Sequence, residues 1–142
     1  MKYILLLLSM LLFLACGEKQ EANKAAEMHW DRDMCSRCVM VISDRKNSVQ
    51  IQEIASKKVD KFDDFGCMVI WAEEAKKDIF KNYIVWVNDV NSGEWIDAKK
   101  AFYTAGNTTP MAYGYSAYKS KSEVPKSEET FSFDEVYKFI NK

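Results

Sequence analysis

Three short runs hold the side chains that could do chemistry. The first, Met34-Cys-Ser-Arg-Cys-Val-Met40, sets two thiols three residues apart and brackets them with thioethers. A CxxC pair serves several chemistries. A thiol-disulfide catalyst needs a helix N-terminus directly after the pair, to lower the pKa of the leading cysteine. Here Val39-Met-Val-Ile42 follows instead, and its β-branched residues predict a strand. A structural zinc site needs four N or S ligands, whereas Cys67 and the single histidine, His29, are what the domain offers outside the motif. A Cys35–Cys38 disulfide would close a short, strained loop and would serve as a resting oxidised state. The thioethers set this motif apart. Met34, Met40, Met68 and Met111 each adjoin a cysteine or the Pro110 turn. Thiolate and thioether together are soft ligands that select Cu(I). Thioethers also carry no proton, so part of the affinity of such a site persists in acid, where thiolates are lost.

The second run is Phe62-Asp-Asp-Phe-Gly-Cys-Met68. Asp63 and Asp64 read as helix caps before they read as acid or base groups. Cys67 falls in the first turn of the helix they open, where the dipole favours a thiolate, although a buried structural thiol is the simpler role. Met68 lies on the apolar face of that helix and is core filler by position. The third run is Thr109-Pro-Met-Ala-Tyr-Gly114. Pro110 and Gly114 define a turn, and Met111 on it is expected to be exposed and free to act as a ligand. His29 reads as a solvated side chain at the edge of a linker.

These runs need a scaffold. Val49–Ile54 and Lys58–Phe62 predict short strands, and after the Asp63-Asp64 cap the spacing of Phe65, Met68, Val69 and Ala72 predicts a helix ending near Lys76 and Lys77. Tyr83–Val87 is the clearest strand, Asn91-Ser-Gly93 a turn, and Trp95–Asp97 a returning strand. Tyr113–Tyr118 reads as extended, Lys119–Glu129 as a loop, Thr130–Phe133 as a strand, and Asp134 as the cap of a last helix through Ile140. Strands and helices mix without a βαβαβ rhythm, so the class is α+β in a single small domain. A loose duplication into two ββαβ-like halves is expected.

The N-terminus bears on where this chemistry takes place. Lys2 precedes an apolar run from Tyr3 to Leu14, then Ala15 and Cys16. The run is too short for a permanent span and fits a secretory signal ending at a small residue. A cysteine at that point reads as a lipoprotein signal: residues 1–15 are removed and Cys16 receives lipid. Residues 16–28 then form the lipidated cysteine and a polar linker, and residues 29–142 the domain. This places the domain in the periplasm on a membrane. Cys35, Cys38 and Cys67 remain there, an odd number that cannot pair fully in an oxidising compartment. With 20 basic and 21 acidic side chains, nothing suggests nucleic acid as a partner.

Taken together behind a lipoprotein signal, the three runs resemble the NosL family of copper-binding accessory lipoproteins of nitrous oxide reductase. The family pattern looks like C-x-x-C-G-M, then F-D-D-x-x-C-M, then T-P-M-G-x-G, and here these are Cys35–Met40, Phe62–Met68 and Thr109–Gly114. Trp95-Ile-Asp-Ala98 with Ala101 and Tyr103 is similar to the family's intervening stretch. The resemblance implies a Cu(I) carrier rather than an enzyme, with a metal site on Cys35, Cys38, Met40 and Met111. Cys67, Met68, Asp63 and Asp64 are secondary candidates for the site, and a copper-accepting apo-enzyme or its assembly complex is the implied partner. Val39 and Ala112 replace glycines of the pattern, which predicts altered backbone geometry in both turns. A thiol-disulfide oxidoreductase using Cys35 and Cys38, or a structural zinc domain, are the competing readings.

Overall fold

A computed structural model describes residues 24–142. The first hairpin pairs β1 (Val49–Glu53) with β2 (Val59–Phe62), antiparallel and in register from Val49 opposite Phe62 to Gln52 opposite Val59. β1 is central: its other edge pairs with β3 (Tyr83–Asn88), and β4 (Trp95–Asp97) closes an antiparallel sheet of order β2-β1-β3-β4. Val49 and Ile51 face one side of the sheet and Gln50 and Gln52 the other, and all four are buried. The side-chain amide of Gln50 donates to the carbonyl of Ala26, and Lys61 donates to that of Glu27. Residues 26–28, read from the sequence as the end of a linker, are therefore packed on the sheet, with Met28 buried in the core.

The chain leaves β2 directly into helix α1 (Phe65–Glu74). Asp64 caps it by accepting the Gly66 N–H at 3.1 Å, as the Asp63-Asp64 signal predicts. The apolar spacing holds: Phe65, Met68, Val69 and Ala72 are all buried. The helix stops two residues before the predicted lysines, where Lys76 takes a left-handed conformation (φ 52°) and the Lys77 N–H reaches back to the Ala72 carbonyl at 2.8 Å. A short helix α2 (Ile79–Asn82), capped by Asp78, leads into β3.

The second half contributes β5 (Phe102–Thr104) and β6 (Ser116–Tyr118), which form a separate two-stranded antiparallel sheet, and α3 (Phe133–Ile140). The first half is thus a ββαβ unit, while the second lends β4 to the first sheet and keeps a strand pair and a helix. Edge-to-face rings join the halves: Phe65 of α1 meets Tyr103 of β5 at 5.2 Å and Phe133 of α3 at 5.4 Å. The Tyr103 hydroxyl, fully buried, donates to the Ala98 carbonyl at 2.7 Å.

Several local expectations are corrected. Thr130–Phe133 is not a strand; Phe131 alone pairs, with Tyr103, and Phe133 already begins α3. Its cap is Ser132, in a reciprocal box with Glu135, rather than Asp134, because the serine hydroxyl is the oxygen placed to accept the Glu135 N–H. Extended pairing within 113–118 is confined to 116–118, and the 119–129 loop contains one turn of 3-10 helix, Lys121–Glu123.

Candidate metal centre

The residues 39–42 expected to form a strand instead close a tight loop. Met34 and Val41 make a single antiparallel pair, the Cys35 N–H donates to the Met40 carbonyl at 2.8 Å, and the Val39 N–H returns to the Cys35 carbonyl at 3.1 Å. Val39 stands at φ 61°, which no extended segment allows. Strand alternation therefore does not relate Cys38 to Met40, and it is Cys35 that lies opposite Met40. The Ser36 N–H donates to the Lys61 carbonyl at 2.8 Å, tying the loop to the end of β2. That tie carries Cys35 under the first turn of α1.

There the loop meets two side chains of the second motif. Asp63 follows β2, and Cys67 lies four residues on, one helical turn away and on the same face. The sulfurs of Cys35, Cys38 and Cys67 and a carboxylate oxygen of Asp63 all lie within 4.8 Å of one another. Cys35 is 2% exposed, Cys67 0% and Asp63 2%, while Cys38 is half-buried. Four ligands set tetrahedrally about 2.3 Å from one ion would be roughly 3.8 Å apart, so a small inward adjustment suffices.

The protons in this cluster are unevenly held. A hydrogen bond from the Cys67 thiol brings the Cys35 pKa down to about 6, against the cost of burial, with the backbone N–H groups of Asp63, Cys38 and Arg37 assisting. The same bond raises the Cys67 thiol far above its ordinary value, and burial adds to it. Burial pushes Cys38 up to about 11, and the neighbouring Cys35 and Asp63 push the same way. The Cys38 thiol donates to Asp63 Oδ2 at 3.4 Å. Asp63 Oδ1 is buried and has no hydrogen-bond partner among the described residues. An acceptor left bare at such depth costs free energy unless a cation or donor meets it. The donor set of three sulfurs and one oxygen fits a soft or borderline metal ion.

The remaining candidates are placed around this core. Met111 is half-buried, not exposed as the turn chemistry suggested, because its N–H donates to Asp64 Oδ2 at 3.0 Å and its side chain packs on the core. Ala112, next to it, stands at φ 60°. Met40 is 51% exposed at the rim beside Cys35. Met68 is fully buried in the core, and Asp64 is engaged by the Gly66 and Met111 amides. His29 is half exposed, within 3.6 Å of Asp33 and 3.8 Å of Glu27, outside the cluster. Cys16 lies outside the described residues. The sequence placed Asp63 and Cys67 only near the site. The signal that puts both in it is their own i, i+4 spacing across a helix start.

The NosL family model matches residues 27–136 of this chain. No curated protein matches it. Among solved structures it is similar to the crystal structure of the copper chaperone NosL from Shewanella denitrificans, with 19% identity and a TM-score of 0.65, covering 79% of this chain and 95% of that one.

Proposed function

The chain belongs to the NosL family, and from that premise we propose that it is a membrane-tethered carrier of Cu(I). It takes the ion into the cluster of Cys35, Cys38, Asp63 and Cys67, with the thioethers of Met40 and Met111 as further soft ligands. It then passes the ion to a copper-accepting apo-enzyme such as nitrous oxide reductase, or to the complex that assembles it. The observation that carries this reading is the convergence of three thiols and a carboxylate oxygen of Asp63 within 4.8 Å of one another, on a buried carboxylate whose Oδ1 has no partner among the described residues. The copper chaperone named among the similar structures supports the choice of ion. A lipid on Cys16 would hold the carrier at a periplasmic membrane surface, with the segment before Ala26 as its tether.

Each residue has a task in such a carrier. Cys35, already a thiolate at neutral pH, offers the first sulfur to an incoming ion. Cys38 and Cys67 bind as they lose their protons to solvent, so the ion displaces protons as it settles. Cys38 and Met40 are on the accessible side, where a partner's sulfur or imidazole can add before the donor's ligands leave. The low pKa of Cys35 is also what a thiol-disulfide catalyst would need. With Cys35 2% exposed and no helix beginning after it, a substrate disulfide has no approach to its sulfur.

The same four donors are a set that zinc accepts, and the test therefore compares the two ions. The reduced protein is expected to hold one Cu(I) in competition with a chromogenic chelator and to prefer it strongly to Zn(II). Cys38→Ser and Met111→Leu should each weaken Cu(I) binding, while Met68→Leu, a volume-conserving change in the core, should cost under about 1.5 kcal/mol of stability and no copper affinity. Wild-type affinity in both of the first two variants would reject the site. Equal affinity for Zn(II) would favour a structural metal.

A further inference from the structure

We infer that Gly66 and Tyr113 are positioning residues for Met111: the tyrosine ring is seated on the glycine, and this contact fixes the 107–114 turn on the first turn of α1, beside the thiol cluster. The inference rests on the copper-carrier reading and concerns residues outside its ligand set.

Gly66 is the starting point. It is the second residue of α1 and has no positive φ, so no backbone conformation demands a glycine there. Within a helix, glycine is worse than alanine by up to about 1 kcal/mol. What excludes a side chain is close approach: a Cβ on Gly66 would lie 2.0 Å from Cγ of Tyr113, 2.2 Å from Cδ2 and 2.3 Å from Cδ1. Cγ is the root of the ring, so turning the ring about its own axis relieves nothing. Either the side chain must swing away at χ1 or the backbone of the turn must lift.

The turn that would lift is a closed unit. Gly106 and Gly114 stand at its base, each at φ 80°. The Asn107 N–H donates to the Gly114 carbonyl at 3.0 Å, and the Gly114 N–H donates to Thr109 Oγ1 at 3.0 Å. It is tied to α1 by the hydrogen bond from Met111 to Asp64 and by the Tyr113 ring on Gly66, contacts two residues apart on either side of Ala112. The Arg37 guanidinium, from the CxxC loop, pairs with Glu74 of α1 at 3.1 Å, and its charge is felt at Tyr113. The loop, the helix and the turn thus converge at this ring. Removing the ring's seat frees the segment that carries the Met111 thioether while substituting none of the thiols.

The test is a double-mutant cycle on the full-length reduced protein, reading Cu(I) affinity against a chromogenic chelator. Gly66→Ala and Met111→Leu are each expected to weaken Cu(I) binding by about tenfold, and the double variant by no more than the larger single loss, as coupled residues do. Tyr113→Ala should reproduce the loss with Gly66 intact, and Tyr113→Phe, which keeps the ring, should restore affinity. Should Gly66→Ala fail to fold, Tyr113→Ala decides, since deleting a ring introduces no clash. Multiplying losses in the double variant would overturn the positioning role. So would wild-type affinity in Gly66→Ala and Tyr113→Ala beside a weakened Met111→Leu, with the carrier reading left standing. Absence of Cu(I) binding by the unmutated protein would overturn both.

Discussion

The carboxylate of Asp64 accepts the backbone N–H of Met111 at 3.0 Å while its other oxygen accepts that of Gly66 at 3.1 Å. One buried side chain thus starts a helix and anchors a turn distant in sequence. Its neighbour Asp63 turns to the thiols instead. Two adjacent aspartates divide the work, one holding the scaffold and the other facing the cluster.

Asp64→Ala should therefore cost more than a helix cap. A lost cap is worth about 1 kcal/mol, and the half-buried Met111 amide left without an acceptor adds about 1–3 kcal/mol. Urea unfolding of the metal-free reduced protein should show a loss of about 2–4 kcal/mol. Asp64→Asn, which keeps one acceptor oxygen, should fall between the two proteins.

Val39 and Ala112 stand where the family pattern has glycine, and both are left-handed, at φ 61° and 60°. The backbone at both positions is in a conformation that glycine adopts freely, and the side chains bear strain. That strain is about 1–2 kcal/mol for an L-residue, more for β-branched valine than for alanine. Glycine's extra chain entropy returns about 0.5–1 kcal/mol of it. Val39→Gly should raise stability by roughly 0.5–1 kcal/mol and Ala112→Gly by less, read as shifts of the urea midpoint. A Val39→Gly protein less stable than wild type would contradict the strain.

Proton release reports the ligands directly. At pH 7 Cys35, at about 6, is deprotonated, while Cys38, at about 11, and Cys67, raised further, are not. Metal ligation requires thiolates, so an ion bound by all three sulfurs should expel about two protons at pH 7. Affinity should fall as pH drops, more steeply below about 6 where Cys35 also takes a proton. Calorimetry in buffers of different ionisation enthalpy counts the protons, and a count near zero would exclude Cys38 and Cys67 as ligands.

Anchoring has its own check. Cys16→Ser should abolish incorporation of radiolabelled fatty acid and leave precursor or misprocessed protein. Label retained in the variant would remove Cys16 from that role. The stable tether expected of a lipoprotein cysteine comes from its multiple acyl chains, since a single chain binds membranes only marginally.

Much of the scaffold was legible because period and capping are local signals. The α1 face, its Asp64 cap, the β3 strand and the 91–93 turn follow from nearby residues alone. Ile79–Asn82 and Phe102–Thr104 went unread because three or four residues are too few to show a period. The strand expected after Cys38 failed because valine's β preference was overruled by a loop closed on Cys35 and Lys61. The site was half legible. Cysteine and methionine types pointed to soft-metal chemistry and the i, i+4 spacing sets Asp63 and Cys67 together, but their meeting with the CxxC loop depends on the Ser36–Lys61 tie across the fold, which no spacing announces. The Tyr113–Gly66 contact was invisible for the same reason.

The burial of Cys35 and Cys67 beside a half-open Cys38 gives the cluster a front and a back. An oxidant reaches Cys38 first, and a sulfenic acid formed there would stand next to buried thiols able to resolve it as a disulfide. Among the three described cysteines, reagents that label thiols in the folded protein should therefore modify Cys38 alone. A bound ion, by shielding that one sulfur, would close the whole cluster to them.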